Sequence, residues 1–465
     1  MKQVRTRFAP SPTGFMHLGN LRTALYAWLF AKKQGGVFVL RIEDTDRSRY
    51  VEGAVDVIYN TLRECGLTWD EGPDVGGDYA PYVQSERIKN PEFDYKKFAL
   101  RLIESGEAYY CFCPPDLPED AVCDCREKQS GEIGSVIRQK TPTDGSTSFV
   151  DSIYGEITVP NSEIEDQILL KSDGFPTYNF ANVIDDHLMG ITHIIRGNEY
   201  LSSTPKYNLL YKAFGWEIPT YIHVSQIMRD ATHKLSKRDG DAYFDDFKKK
   251  GYLTSAIVNY IALLGWSPKG ELSENEIFTL DELVFAFDTD GVSKSPAIFD
   301  ETKMRAINAE HIRRLALEEF VEIAKPYIGD FPIDYTILCS ALQSRTEILS
   351  DITEQVDFID DVGQYSPNVY MNKKMKTAPD TAREALEEAL KILNNITDFS
   401  KDNLFTAFKE IDAVKAGEKK VGFYLYPLQV ALTGKTTAPG GGLDICVMFG
   451  RNESVRRIRK AMELL

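Results

Sequence analysis

Val4-Arg5-Thr6-Arg7-Phe8-Ala9-Pro10-Ser11-Pro12-Thr13-Gly14-Phe15-Met16-His17-Leu18-Gly19-Asn20 decides how the rest of the chain is read. Val4, Thr6 and Phe8 alternate as a strand does. Two prolines and a glycine in Ala9–Gly14 suit neither strand nor helix and force a loop. From His17 onward Leu18, Leu21, Leu25, Trp28 and Leu29 recur at helical spacing until Gly35-Gly36 stops the run. Val37 to Ile42 then reads as a second strand, followed by an amphipathic helix carrying Val51, Val55, Ile58 and Leu62. Strand, crossover helix and strand in this order predict a parallel sheet and an α/β fold.

Working outward, residues of about 85–190 interrupt the pattern with a helix around Phe98 to Ile103, a cysteine-rich loop and strands about an Asp173-Gly174 turn. Thr192 to Ile195 resumes a buried strand, and a helix follows with Thr204 expected as its N-cap and Pro205 at its first position. The middle therefore reads as an insertion within one α/β domain. Beyond about residue 245 the apolar period is almost entirely helical, with a capping box at Thr279 and Glu282. Strand signals return only at Val430 to Leu432 and at Ile445 to Phe449, the latter containing Cys446. A length of 465 residues suits roughly three domains.

A net charge of −16 argues against an indiscriminate nucleic-acid binder, because phosphate binding rewards positive charge. Local basic clusters survive in that total: Lys373, Lys374 and Lys376, and Arg456, Arg457, Arg459 and Lys460. Each reads either as a nucleic-acid patch or as a solvated helix face. No apolar run spans a bilayer and no secretory pattern opens the chain, so a cytoplasmic location is expected. In that compartment the seven cysteines are thiols or metal ligands.

Three local features carry chemistry. Pro10 to Asn20 joins a strand end to a helix N-terminus, where unpaired N–H groups and the positive end of the helix dipole attract phosphate. There Gly19 lets a ligand approach the backbone, and His17 can donate to a phosphoryl oxygen. Lys234-Leu235-Ser236-Lys237-Arg238 is a basic loop whose lysines can follow charge moving onto a reacting triphosphate, or a plain surface loop. Cys111-Phe112-Cys113 and Cys123-Asp124-Cys125 place four of the seven cysteines in two C-x-C pairs, a set suited to four thiolates around Zn²⁺. Reduced, partly buried thiols are the alternative. Cys65 and Cys339 sit on apolar helix faces as core residues. His187, His193, His223, His233 and His311 show no ligand spacing and read as surface or core.

His17-Leu18-Gly19-Asn20 resembles the "HIGH" element of class I aminoacyl-tRNA synthetases, with Leu for Ile and Asn in place of the final His. Lys234 to Arg238 resembles their "KMSKS" element. The resemblance narrows to the bacterial glutamyl-tRNA synthetases and runs over essentially the whole chain. It is densest in Arg7–Gly14, Leu40-Arg41-Ile42-Glu43-Asp44-Thr45-Asp46, Pro81–Arg87 and Asp173–Asn182.

The resemblance implies a Rossmann-type catalytic domain in two halves, 1–84 and 191–240, split by an α+β acceptor-binding insertion over 85–190 with a zinc knuckle. A helical stem-contact domain over 241–307 would follow, then two mainly α-helical anticodon-binding domains over 308–372 and 373–465. It implies ATP with Mg²⁺, L-glutamate and tRNA(Glu) as substrates and partners, and a monomer. His17, Lys234 and Lys237 would be catalytic, and His17, Gly19, Asn20, Lys234, Ser236 and Lys237 would hold ATP. Arg7 would grip the glutamate side-chain carboxylate, a task suited to a guanidinium, while Ser11 and Glu43 receive the α-amino group. Ala9, Tyr178, Asn182 and Arg196 would complete that pocket. A helix N-cap run is the other reading of Glu43–Asp46, and Arg5 reads as a surface strand residue. Arg345 matches a position that reads an anticodon base, and Gln429 stands where a second basic residue is expected. A nucleotidyltransferase of the same superfamily, a tRNA-modifying glutamyl transferase and a non-catalytic paralogue are the competing functions. The first two lack need of the helical third, and the last would have lost His17 or Lys234.

Overall fold

The computed structural model describes residues 2–46, 50–113, 123–128, 136–233, 235 and 243–465. It divides into two units, the first comprising 1–248 and 254–301 and the second 249–253 and 302–465.

The first unit opens with β1 (Arg5–Phe8), α1 (Leu18–Lys33) and β2 (Val37–Leu40). β1 and β2 are parallel, with Arg7 opposite Val39. The crossover read from the first forty residues is therefore present. Alternation along β1 is not: Thr6, Arg7 and Phe8 are all buried, because helices cover both faces of a parallel sheet. Gly14, at φ 122, makes the turn that returns the loop to α1.

α2 (Ala54–Glu64) begins later than its apolar pattern suggested, so Val51 lies outside it and is exposed. Its N-cap is Gly53, which removes the N-cap reading of Glu43–Asp46. Asp44 instead accepts the Ser85 N–H at 2.8 Å, at the start of α3 (Gln84–Lys89).

α4 (Tyr95–Glu104) leads into β3 (Ala108–Cys111), α5 (Cys125–Lys128), β4 (Val136–Gln139), β5 (Ser146–Asp151), β6 (Gly155–Pro160) and β7 (Ile168–Leu170). β3, β4 and β7 form a small antiparallel sheet. α6 (Tyr178–Leu188), β8 (His193–Gly197), α7 (Thr204–Phe214) and β9 (Thr220–Val224) follow. β8 and β9 are parallel, and the order in their sheet is β6-β5-β9-β8. Thr192 joins β8 to β1 by donating its N–H to the Arg5 carbonyl at 3.0 Å.

The segment 85–190 is thus not a separable insertion throughout. Its β5–β6 hairpin extends the parallel sheet through the Asp151–Tyr221 pairing, and its α6 lies in the core.

Thr204 corrects a second expectation. It is the first residue of α7, not the cap, and its hydroxyl accepts from Arg196 Nη2 and donates to the Tyr200 carbonyl. The unit closes with β10 (Ile227–Met228), α8 (Phe244–Lys249), α9 (Thr254–Leu263), α10 (Leu280–Ala286) and β11 (Ala297–Ile298). The capping box at Thr279 and Glu282 is present on α10.

The second unit is helical: α11 (Glu301–Arg314), α12 (Leu317–Ile328), α13 (Tyr335–Leu342), α14 (Asp351–Gln355), α15 (Pro379–Asn395), α16 (Lys401–Lys409), α17 (Asp412–Lys415), α18 (Gly422–Thr433) and α19 (Gly442–Met462). The strands expected at 430–432 and 445–449 are the interiors of α18 and α19, and Cys446 is a buried helix residue. Both runs are enclosed by one core, so apolar residues appear on all sides of the helix and its period is lost. Gly434, at φ 69, ends α18 in the left-handed conformation.

Arg457 leaves the expected basic patch as well. It is buried and donates to the carbonyls of Phe358, Ile359 and Leu432, while Arg456 pairs with Glu453. Among the described residues no helix is long and apolar enough to cross a membrane.

Candidate active site

β1 and β8 lie side by side although most of the first unit separates them in sequence. Strand order reverses there, and in open α/β sheets ligands bind beyond the strand C-termini at that crevice. A cavity of about 540 Å³ occupies it, lined by both strand ends, the Pro-rich loop and the start of α1. Arg7, Ala9, Ser11, His17, Gly19, Asn20, Glu43, Tyr178 and Arg196 all face it, so residues drawn from distant segments converge on one space. Asn182 does not. It is buried one turn further along α6, and its amide donates to the Tyr178 carbonyl at 2.9 Å. Lys234, Ser236 and Lys237 lie outside the described residues.

His17 is the N-cap of α1, and its Nδ1 accepts the Gly19 N–H at 3.1 Å. That leaves the proton on Nε2, which donates to the Leu235 carbonyl at 3.3 Å. A Cβ added at Gly19 would meet only the His17 ring, at ordinary contact distance. The protein's own packing does not demand a glycine there.

At the other end of the cavity the charges form a buried ladder. Arg7 Nε lies 3.1 and 3.2 Å from the two Asp186 oxygens. Asp186 also accepts from Arg41 Nη1 at 2.8 Å, and Arg41 Nη2 donates to Glu43 Oε1 at 2.8 Å. Burial pushes the Asp186 carboxyl up, but the guanidiniums of Arg7 and Arg41 outweigh it and hold it below the usual range. For Glu43 burial prevails and raises it. Glu43 Oε2 is buried and has no hydrogen-bond partner among the described residues. An unpaired buried acceptor of this kind is costly unless a ligand supplies a donor.

Several contributors escaped the sequence reading. Asp186 and Arg41 support Arg7; His223 and Thr204 hold Arg196. Arg22, also lining the cavity, ties α1 to the carbonyls of Ser225 and Leu264. Arg5 is not a surface residue: it makes a bidentate pair with Glu71 at 2.8 and 2.9 Å and donates to the Met189 carbonyl. Of the other histidines, His187 stacks on Trp216 and His233 is exposed beside Asp230.

Away from the cavity, Cys111, Cys113, Cys123 and Cys125 converge with all four sulfurs within 4.8 Å of one another. Individual Sγ–Sγ distances of 3.3, 3.7 and 3.8 Å lie at or a little below the ~3.8 Å edge of a tetrahedron with Zn–S bonds of about 2.3 Å. The Phe112 N–H donates to Cys125 Sγ at 3.3 Å. In the second unit, Arg345 donates to the Ala438 carbonyl and Gln429 to the Thr436 carbonyl, so both hold the loop between α18 and α19.

The crevice, the open helix end and the two buried arginines together form a ligand site at the switch point of a Rossmann-type sheet, and the class of protein follows from the family models. The family model "tRNA synthetases class I (E and Q), catalytic domain" matches residues 3–121 and 121–306, and an "Anticodon binding domain" model matches 319–462. The glutamate–tRNA ligase of Clostridium botulinum (strain Eklund 17B / Type B) is 51% identical, covering 100% of this chain and 99% of that protein. That of Clostridium tetani is 50% identical over 100% and 98%. The crystal structure of a glutamate tRNA ligase from Elizabethkingia meningosepticum, in complex with its amino acid, superposes at a TM-score of 0.86 with 32% identity, covering all of both chains. The chain belongs to the glutamate–tRNA ligase family.

Proposed function

We propose that this protein attaches L-glutamate to tRNA(Glu) at the expense of ATP, through a glutamyl-adenylate. The observation that carries this reading is the convergence of Arg7, Arg196 and the unpartnered Glu43 oxygen on one cavity beside a phosphate-ready helix end. Two carboxylates and one ammonium are what such a set accepts, and glutamate has them. In the first step an oxygen of the α-carboxylate attacks the α-phosphorus of ATP, and pyrophosphate leaves with the bridging oxygen. In the second a terminal ribose hydroxyl of the tRNA attacks the activated carbonyl, loses its proton and expels AMP. No protein nucleophile is needed; catalysis is alignment and stabilisation of phosphoryl charge. His17, Lys234 and Lys237 supply that charge, Gly19, Asn20 and Ser236 hold the nucleotide, and Mg²⁺ accompanies it. Ala9, Ser11, Tyr178 and Asn182 shape the amino-acid end, Asn182 through Tyr178. We assign the small antiparallel sheet with its cysteines to the tRNA acceptor end, and 308–372 and 373–465 to the anticodon, with Arg345 at a base. A cytoplasmic monomer fits this role.

Glutamate-dependent ATP–pyrophosphate exchange, measured with and without tRNA, tests the reading. Exchange with glutamate, transfer to tRNA and no exchange with glutamine are expected. Activity toward glutamate without transfer to any tRNA would overturn this reading.

The four cysteines are assigned one structural Zn²⁺. Elemental analysis of protein purified without chelators is expected to give about one zinc per chain. Stripping it should lower charging of tRNA more than pyrophosphate exchange, because the cluster lies away from the cavity lining. Metal-free protein that charges tRNA at full rate would remove zinc from the acceptor-binding role.

A further inference from the structure

Two of the three arginines that line the cavity, Arg7 and Arg196, are held in opposite ways. Arg7 rests on a carboxylate. Arg196 does not: Nε donates to His223 Nε2 at 3.1 Å, and Nη2 donates to Thr204 Oγ1 at 2.8 Å. The rings of Tyr200, Tyr207 and Tyr221 lie 5.1, 4.7 and 5.3 Å from its central carbon. Among the described residues no carboxylate stands within ion-pair distance of Arg196, and Nη1 has no hydrogen-bond partner. The guanidinium is fixed on two edges by an imidazole and a hydroxyl, with no carboxylate in contact among the described residues.

What fixes it reaches back one residue further. His223 is fully buried on β9, and its Nδ1 lies 2.7 Å from Asp151 Oδ2. Asp151 is anchored in turn: Oδ1 accepts the N–H groups of Ile153 and Tyr154, both at 2.8 Å, and Oδ2 also accepts the His223 N–H at 3.1 Å. A carboxylate facing Nδ1 places the imidazole proton there and leaves Nε2 with a lone pair. Only that tautomer can receive the Arg196 Nε–H. A carboxylate at position 223 would hold the arginine but cancel its charge. An imidazolium would set a donor against a donor.

We propose that Asp151 and His223 are positioning residues for substrate binding: the carboxylate sets the imidazole tautomer, and the neutral imidazole aims Arg196 at a carboxylate of glutamate without neutralising it. This rests on the reading of Arg196 as a glutamate contact, and the experiment separates the two.

Asp151→Asn is the informative variant because it keeps the shape. Its oxygen must stay at the Oδ1 position to accept two backbone N–H groups, so its NH₂ faces His223 Nδ1 and also, at some cost in stability, the His223 N–H that Oδ2 had accepted. The imidazole then carries its proton on Nε2, against Arg196, the same tautomer reversal that an Asp→Asn change causes in a serine-protease triad. Losing a charge-assisted contact predicts a rise in the KM for glutamate of about 10–100-fold, with kcat and the KM for ATP within about two-fold. The full-length, zinc-loaded protein is assayed by pyrophosphate exchange, alongside Arg196→Ala. If Arg196→Ala leaves the KM for glutamate unchanged, the pocket reading fails. If Arg196→Ala raises it and Asp151→Asn does not, or lowers kcat alone, the positioning proposal fails. A second measurement needs no variant to fold. In wild-type protein labelled with ¹⁵N-histidine, the His223 signal is expected to show a neutral ring protonated on Nδ1. A ring protonated on Nε2, or on both nitrogens, overturns the proposal.

Discussion

Replacing His17 with alanine is expected to lower the rate of glutamate-dependent pyrophosphate exchange by about 10²–10³, with the KM for glutamate nearly unchanged. The geometry separates two jobs in this one side chain. As N-cap of α1 its Nδ1 takes the Gly19 N–H, which any good capping residue could do. As a donor, its Nε2–H points toward Leu235, the neighbour of Lys234, from the wall of the cavity. The capping bond fixes the tautomer, so a proton stands on Nε2 before ATP arrives; in the proposed reading a phosphoryl oxygen replaces the Leu235 carbonyl as its acceptor. His17→Asn tells the jobs apart. Asparagine caps helices well but is too short to present the same donor, so it should lose the rate and keep the stability. Alanine should lose the rate and about 0.5–2 kcal/mol of stability besides. Lys234→Ala is expected to share the rate loss if, as proposed, its ammonium meets the same developing charge. A His17→Asn enzyme working at full rate would reduce His17 to a cap.

The parts of this site that are contiguous in sequence could be read without a structure. Loop, helix start and strand end within Arg7–Asn20 announce themselves through proline, glycine and helical spacing, and the paired cysteines through their own spacing. The supporting charges could not be read that way. Asp186 reaches Arg7 across 179 positions and Arg41 across 145, and no local pattern encodes such a pairing. A weaker signal was present. Asp185-Asp186 interrupts the otherwise apolar Val183–Ile184 stretch of α6, and His223 stands between Ile222 and Val224 in a buried strand. An ionisable residue inside a buried element must have a partner, and here each does. That 430–432 and 445–449 are helical, which their apolar runs do not announce, has the converse cause. Burial on every side erased the period that distinguishes helix from strand.

Arg7→Gln is expected to lower kcat/KM for glutamate by about 10²–10⁴, since a carboxylate left in a buried site without its cation costs roughly 3–5 kcal/mol. Glutamate and glutamine have nearly the same shape, so the discriminating element must be charge. Among the described residues lining the cavity Arg7 and Arg196 are the candidates, Arg22 being committed to backbone carbonyls. The support beneath Arg7 bears on the size of the effect. Asp186 is shared with Arg41, so removing the Arg7 charge still leaves that carboxylate paired, and the amide of the substituted glutamine can donate a hydrogen to it. The fold should therefore survive, and the loss should appear in glutamate binding more than in melting temperature. Arg5→Gln is the control, in a form the structure has changed. Arg5 does not line the cavity, but it grips Glu71 with both arms and the Met189 carbonyl with Nε, under the Tyr79 ring. Charged hydrogen bonds of this kind contribute roughly 1.5–3 kcal/mol, less what solvent screens at a partly exposed pair. Arg5→Gln should thus lower the melting temperature by several degrees and leave kcat/KM for glutamate within about three-fold. The two variants should fail in opposite assays. If Arg7→Gln instead binds glutamate normally and still rejects glutamine, the discriminating charge belongs to Arg196.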